Sequence, residues 1–258
     1  MFQLFFYQPT YNILVFFLNI IPNHDVGIAI ILTTIFIKII LLPLNLKAQE
    51  SQYVMREMEG EMRGLKEKNK NDHKKYGEEL MLLYKTKNVS PFSSLLLLFI
   101  QIPIFFALFF VFQSGIKFDQ TSIYSFVSFP DKINLLAFGL FDLSKAYWWI
   151  GVLCGVSMYV YTKKQSDLMK RISAVLKSKK EKENKQENNT KMESFSEIFA
   201  KNMNFQMVYF FPIISGITAA YFPAALGVYW TTSNILSIFQ DFYIQKKLNI
   251  EGFIKKHS

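Results

Sequence analysis

The chain has 258 residues, 51% of them hydrophobic and 27 of them Phe, and the apolar residues gather in blocks rather than in amphipathic stripes. That pattern reads as a handful of membrane helices and leaves too little chain for a large soluble domain as well. The net charge of +9 sits in the loops between the blocks, which argues against a nucleic-acid surface, and the single cysteine, Cys154, excludes an internal disulfide. His24, His73 and His257 are too scattered for metal-ligand spacing, so no metal, no cofactor and no specific DNA partner is expected.

Residues 1–25 are apolar but interrupted by Gln8, Pro9 and Asn12, with no basic n-region and no small-residue cleavage site before Asp25. An external interfacial helix over 11–21 is expected there rather than a cleaved signal. The first span covers 26–44, with Pro43 near its end, and inside it stands one cation, Lys38. A charge within a span is costly, and such a residue normally faces a wet cavity or a partner. Lys38 also lies only about six residues, ~9 Å of helix, from the end of its span. A lysine that merely snorkels to the headgroups is therefore the competing reading.

Residues 45–90 have helical periodicity: Met55, Met58, Met62 and Leu65 mark one stripe, Tyr76, Leu80, Leu83 and Tyr84 another, with a break at 69–72. A helical hairpin is expected, its methionines either filling the seam or offering an adaptable surface to apolar partner segments. The second span, 91–113, contains Gln101 and Pro103; the third, 146–162, opens on the interfacial aromatics Tyr147, Trp148 and Trp149. Loop 163–206 includes a highly charged stretch, 177–191, expected to be disordered, either a plain solvated linker or a contact for ribosomal RNA or anionic lipid. The fourth and fifth spans, 207–222 and 223–245, are separated only by a turn at Phe222-Pro223, and a tail covers 246–258.

Basic residues orient these spans. Segments 45–90, 163–206 and the tail together hold 25 Lys and Arg, against 3 in 114–145 and none in 1–25. The positive-inside rule then places the N-terminus outside and the C-terminus, hairpin and long loop in the cytoplasm.

The last span is unusually polar: Tyr229, Trp230, Thr231, Thr232, Ser233 and Asn234 are followed by Gln240 and Asp241. Asn234 can share a helix face with Trp230 and Thr231. Together with Lys38 and Gln101 these residues favour a hydrated cavity, with interhelical glue as the alternative. Asp241 is expected to be an interfacial charge rather than the partner of Lys38. A Ser/Lys dyad would need Ser233 or Ser237 beside Lys38, which sequence alone does not place, and no catalytic motif is present, so no enzyme is expected. No inverted repeat supports a transporter.

Four stretches together resemble the YidC/Oxa/Alb family of membrane protein insertases. GIAIILTTIFIKIILLPLNLKAQES (27–51) is similar to the family's first core span, with its Pro-Leu step and Lys-x-Gln approach to the hairpin. ELMLLYKTKNVSPFSSLLLLFIQIPIFFALFFVF (79–112) carries the Leu-Tyr-Lys and Gln-x-Pro-Ile-Phe series, with Ser90-Pro91 where Asn-Pro is usual. FGLFDLSKAYWWIGVL (138–153) and FFPIISGITAAYFPAALGVYWTTSNILSIFQDFYI (210–244) resemble the approach to the third span and the final hairpin. The resemblance is to the small bacterial type, without the large external domain.

What it implies is an all-α membrane protein with five transmembrane helices around a hydrophilic groove, open to the cytoplasm and to lipid, plus the cytoplasmic hairpin. The implied activity is insertion and chaperoning of nascent membrane proteins at the bacterial inner membrane. Membrane lipids are implied partners, with the Sec translocon and the ribosome as candidates. Lys38 occupies the place of the family's usual arginine, and the groove would be lined by Lys38, Gln101, Trp230, Thr231 and Asn234, with Met55, Met58 and Met62 as hairpin contacts. A small polar-lined channel or transporter is the alternative, and a purely structural assembly factor a third reading.

Overall fold

The computed structural model describes residues 2–90, 102–111, 123–130, 132–183 and 205–250, with side chains to Val175 in the fourth stretch. A π turn (Gln3–Tyr7) leads into α1 (Gln8–Ile20), followed by α2 (Val26–Glu57), α3 (Glu59–Lys68), α4 (His73–Thr86) and α5 (Ile102–Val111). After the two-residue strands β1 (Leu136–Ala137) and β2 (Phe141–Asp142) come α6 (Trp148–Glu183), a second π turn (Gln206–Phe210), α7 (Phe211–Tyr221) and α8 (Ala224–Lys247). Among the described residues the regular secondary structure is helical apart from this antiparallel strand pair and an isolated bridge between Asp25 and Asn134. By length and composition α2 is the one described helix that can cross a membrane; Ile102–Val111 and Gln206–Tyr221 are apolar but shorter.

Helices run further than the expected spans. α2 continues through Pro43 to Glu57, so the segment expected to open the hairpin at 45 prolongs the same helix. Proline lacks the N–H for one i→i−4 bond but leaves the bonds on either side intact. α6 likewise runs to Glu183, which makes 177–183 helical where disorder was expected; 184–191 lies outside the described residues. Lys, Glu and Leu are strong helix formers, and extending a helix already nucleated needs no apolar face.

The chain forms two compact units. The first contains α1, α2 to Ile40, α5, the strand pair, α6 to Leu168, α7, and α8 to Asp241. Its core includes Leu14, Leu18, Val26, Ile30, Leu108, Leu143, Cys154 and Leu226, so α1, expected as an interfacial helix, packs one face into this core. The Asp25 carboxylate caps α2, accepting from Gly27 N at 2.7 Å and Ile28 N at 3.1 Å, and its other oxygen accepts from Phe138 N at 2.7 Å. The first turn of α8 donates to the same loop, Ala224 N to Lys145 O at 2.8 Å and Ala225 N to Leu143 O at 3.1 Å. The loop also accepts from the start of α2, Val26 N donating to Asn134 O at 3.1 Å, so it satisfies otherwise unmet N–H groups at two helix starts.

Close packing of α6 on α7 requires glycine. A Cβ on Gly151 would stand 2.5 Å from Gly216 O, and one on Gly216 would stand 3.0 Å from Gly151 O. Small residues let helix backbones approach in this way.

The second unit contains α2 from Leu41, the α3/α4 pair, α6 from Met169 and the end of α8. The break expected at 69–72 is present, with Asp72 capping α4 through Lys75 N at 2.9 Å. Asn69 Nδ2 donates to Glu79 Oε2 at 2.8 Å and Lys68 pairs with Glu79 at 3.1 Å, while Tyr84 Oη contacts Met62 Sδ at 3.5 Å. The amide of Asn69 and the ammonium of Lys68 hold the Glu79 carboxyl below its usual range.

Candidate functional site

α8 carries the site. At 3.6 residues per turn, Trp230, Asn234, Ser237 and Asp241 fall within about 60° of one helix face. Between them these side chains meet three other helices, α2, α5 and α6. Trp230 stacks on Phe105 of α5 with ring centroids 5.0 Å apart and planes 7° from parallel. Asn234 Nδ2 donates to Ser157 Oγ of α6 at 3.0 Å. Lys38 Nζ of α2 donates to Ser237 Oγ at 2.7 Å, and Ser237 Oγ donates in turn to Ser233 O at 2.9 Å. Asp241 accepts from Gln165 Nε2 of α6.

Lys38 is half-buried and sits on a neutral hydroxyl, so its charge is not cancelled by that contact. Asp241, 7% exposed, is within Coulombic reach of Lys38, but the ammonium's hydrogen bond goes to Ser237. Three polar atoms in the same unit, Thr33 Oγ1, Thr231 Oγ1 and Gln240 Nε2, are buried and make no hydrogen bond among the described residues. Buried donors and acceptors without a protein partner mark places where water or a ligand is expected.

Of the residues expected from sequence, Lys38, Trp230, Thr231 and Asn234 all lie in the first unit, on α2 and α8. Among the described residues the hydrogen bond of Lys38 goes not to Asn234 but to Ser237, one turn further on. Gln101 lies outside the described residues. Met55, Met58 and Met62 belong to the second unit, where Met58 is 1% exposed and the other two are half-buried. Gln165 was not expected at the site, and Ser237, named from sequence only as what a Ser/Lys dyad would need, stands beside Lys38. Ser237 stands seven residues from Trp230 and three from Asn234, a spacing that puts it on their face. Gln165 falls in a stretch that reads as polar loop, so no pattern points to it.

The family described as 60Kd inner membrane protein matches residues 16–251. Among similar proteins, a membrane protein insertase YidC from Caulobacter vibrioides is 30% identical over 251 residues, 96% of this chain and 37% of the relative. One of the same name from Magnetococcus marinus is 28% identical over 96% of this chain and 36% of its own length. A third, from Fusobacterium nucleatum, is 29% identical over 94% of this chain and 98% of its own length. The chain thus spans little more than a third of the first two relatives and nearly all of the third.

Proposed function

Because the chain belongs to the 60Kd inner membrane protein family, we propose that it is an insertase and folding chaperone for membrane proteins in the bacterial inner membrane. In this reading five helices span the bilayer, at about 26–44, 91–113, 146–162, 207–222 and 223–245, with the N-terminus and helix 1–25 outside. Residues 26–258 form the insertase core, with hairpin 45–90, loop 163–206 and tail 246–258 in the cytoplasm. Large apolar side chains turned outward support the spans: Val152, Leu153 and Val156 on α6, and Ile213, Ile217 and Phe211 on α7, are each more than half exposed. Such faces suit lipid, not water.

The observation that carries the proposal is the Lys38 ammonium held on a hydroxyl at the polar face of α8. Lys38, Gln101, Trp230, Thr231 and Asn234 line a groove wetted from the cytoplasm, and the buried polar atoms of Thr33, Thr231 and Gln240 find water there. A polar segment of a nascent chain crossing a bilayer meets a barrier of several kcal/mol per charge at its centre. A groove reaching partway through shortens the dry path, and Lys38 attracts acidic residues as they pass. The apolar helix of the client then moves sideways into lipid, driven by burial at ~25 cal/mol per Å². Hydrophobic transfer supplies the free energy, so the step needs no nucleotide.

The hairpin receives clients at Met55 and Met62, with Met58, 1% exposed, packed beneath the surface; the ribosome and the Sec translocon are candidate partners. Reconstitution tests the proposal. Vesicles containing the protein should insert a one-span client without ATP, whereas ion flux with no insertion would identify a small polar-lined channel instead.

A further inference from the structure

α6 and α7 enclose an apolar groove of about 560 Å³, with Val152, Val156, Ile213 and Ile217 in its walls. All of it lies within the first unit, and these four wall residues are each more than half exposed. The groove runs from Trp148 at one end to Tyr159 and Tyr209 at the other. From Trp148 to Tyr159 the helix rises ~16 Å, which makes the mean section of the groove ~35 Å². A helix with its side chains fills ~80–110 Å². The space therefore suits a flexible hydrocarbon chain better than a further helix.

The glycines on its floor point the same way. A Cβ on Gly151 would stand 2.5 Å from Gly216 O, and one on Gly155 would stand 3.4 Å from Gly216 Cα. The small residues that would let a further helix approach are already taken up by the contact between α6 and α7.

One end of the groove is polar. The rings of Tyr159 and Tyr209 lie 6.0 Å apart there and bring two hydroxyl groups. One turn past Tyr159 on the same face of α6 stands Lys163, at the end that the proposed topology puts in the cytoplasm. Lys163 bonds Asp167 at 3.0 Å, but the two side chains are 37% and 50% exposed. Such a surface pair is weak, so a phosphate can share the ammonium with Asp167.

We propose that this groove binds an anionic phospholipid of the cytoplasmic leaflet, its acyl chain between α6 and α7 and its phosphate at Lys163, Tyr159 and Tyr209. A zwitterionic headgroup carries a cation of its own, which Lys163 repels, so the site discriminates by charge. The proposal rests on the spans and topology given above and on no step of insertion.

The test places full-length protein in phosphatidylcholine vesicles. These contain a trace of either phosphatidylglycerol or phosphatidylcholine with a photoreactive diazirine on the acyl chain, and the labelled residues are mapped. Phosphatidylglycerol should label the groove walls about fivefold more than phosphatidylcholine does, the effect of one lysine beside an anionic headgroup. Lys163→Gln should abolish that preference and leave labelling by phosphatidylcholine unchanged. Asp167→Asn should increase the preference by releasing the ammonium. Val156→Trp, which fills the groove from an exposed position, should lower labelling of its walls by both lipids. Equal labelling by the two lipids, a preference that survives Lys163→Gln or falls in Asp167→Asn, or walls labelled as before in Val156→Trp overturns the proposal. Walls shielded from both lipids while the exposed Ile39 and Ile40 of α2 are labelled would mean that a protein surface sits there, which also overturns it. If neither lipid labels any helix, the proposed spans fail, and the lipid site with them.

Discussion

Ser237 accepts one of the three N–H bonds that the Lys38 ammonium can donate. In the proposed function the other two, and the positive charge that Asp241 only partly offsets, are what an acidic segment meets. Lys38→Met keeps the length of the side chain and removes the charge. It should weaken insertion of an acidic client about tenfold or more, the equivalent of losing one charge-assisted hydrogen bond of ~1.5–3 kcal/mol. Lys38→Arg should retain most activity toward acidic clients, since the charge survives and the guanidinium adds donors. Comparing insertion of acidic and neutral clients by these two variants checks both outcomes; equal impairment by Lys38→Met would mean a folding defect. At the other end of α2, Asp25 is 6% exposed and accepts three backbone hydrogen bonds. Asp25→Ala should cost ~1–2 kcal/mol, the range for a lost helix cap, measurable as a lower thermal unfolding midpoint in detergent.

Elements meet where side chains are small. Adding one methyl at Gly151 drives it against the Gly216 carbonyl, so Gly151→Ala should destabilise the α6–α7 contact by ~1–3 kcal/mol through overpacking. Thermal unfolding of the purified variant checks this, and a stability equal to wild type would show that the helices can move apart without penalty. The hairpin has a pH signature of its own. The Glu79 carboxyl is held below its usual range by Asn69 and then by Lys68, so its contribution is present above the ordinary carboxylate pKa. That contribution is lost as pH falls through the depressed value. Protection of α4 amides should therefore weaken on acidification below about pH 4, and Asn69→Ala should shift that loss to higher pH.

These elements also show what sequence can and cannot tell. The break at 69–72 and the turn at Phe222-Pro223 were legible because Asn, Asp and Pro have local conformational preferences that neighbours seldom override. The ends of α2 and α6 were not, because hydropathy reports where lipid ends, and a helix can continue into water on Lys, Glu and Gln. Lys38, Trp230 and Asn234 stood out as polar or aromatic groups in apolar surroundings. Their partners Ser237, Phe105 and Ser157 did not, since each choice depends on how two distant helices are rotated, which no single-chain periodicity records.

For the molecule as a whole, the account depends on water reaching Lys38 from the cytoplasmic side. In the proposed reading, the asymmetry of 25 basic residues against 3 assigns that side and the polar face of α8 the path. The most direct measurement is accessibility of single cysteines introduced at positions 38 and 234 in a Cys154→Ala background. A membrane-impermeant thiol reagent would be applied to sealed vesicles of each orientation. Labelling of both positions from the cytoplasmic face, and from that face alone, is the predicted result. Cysteines that react only after the protein is unfolded, or that react from the outer face, would contradict the account.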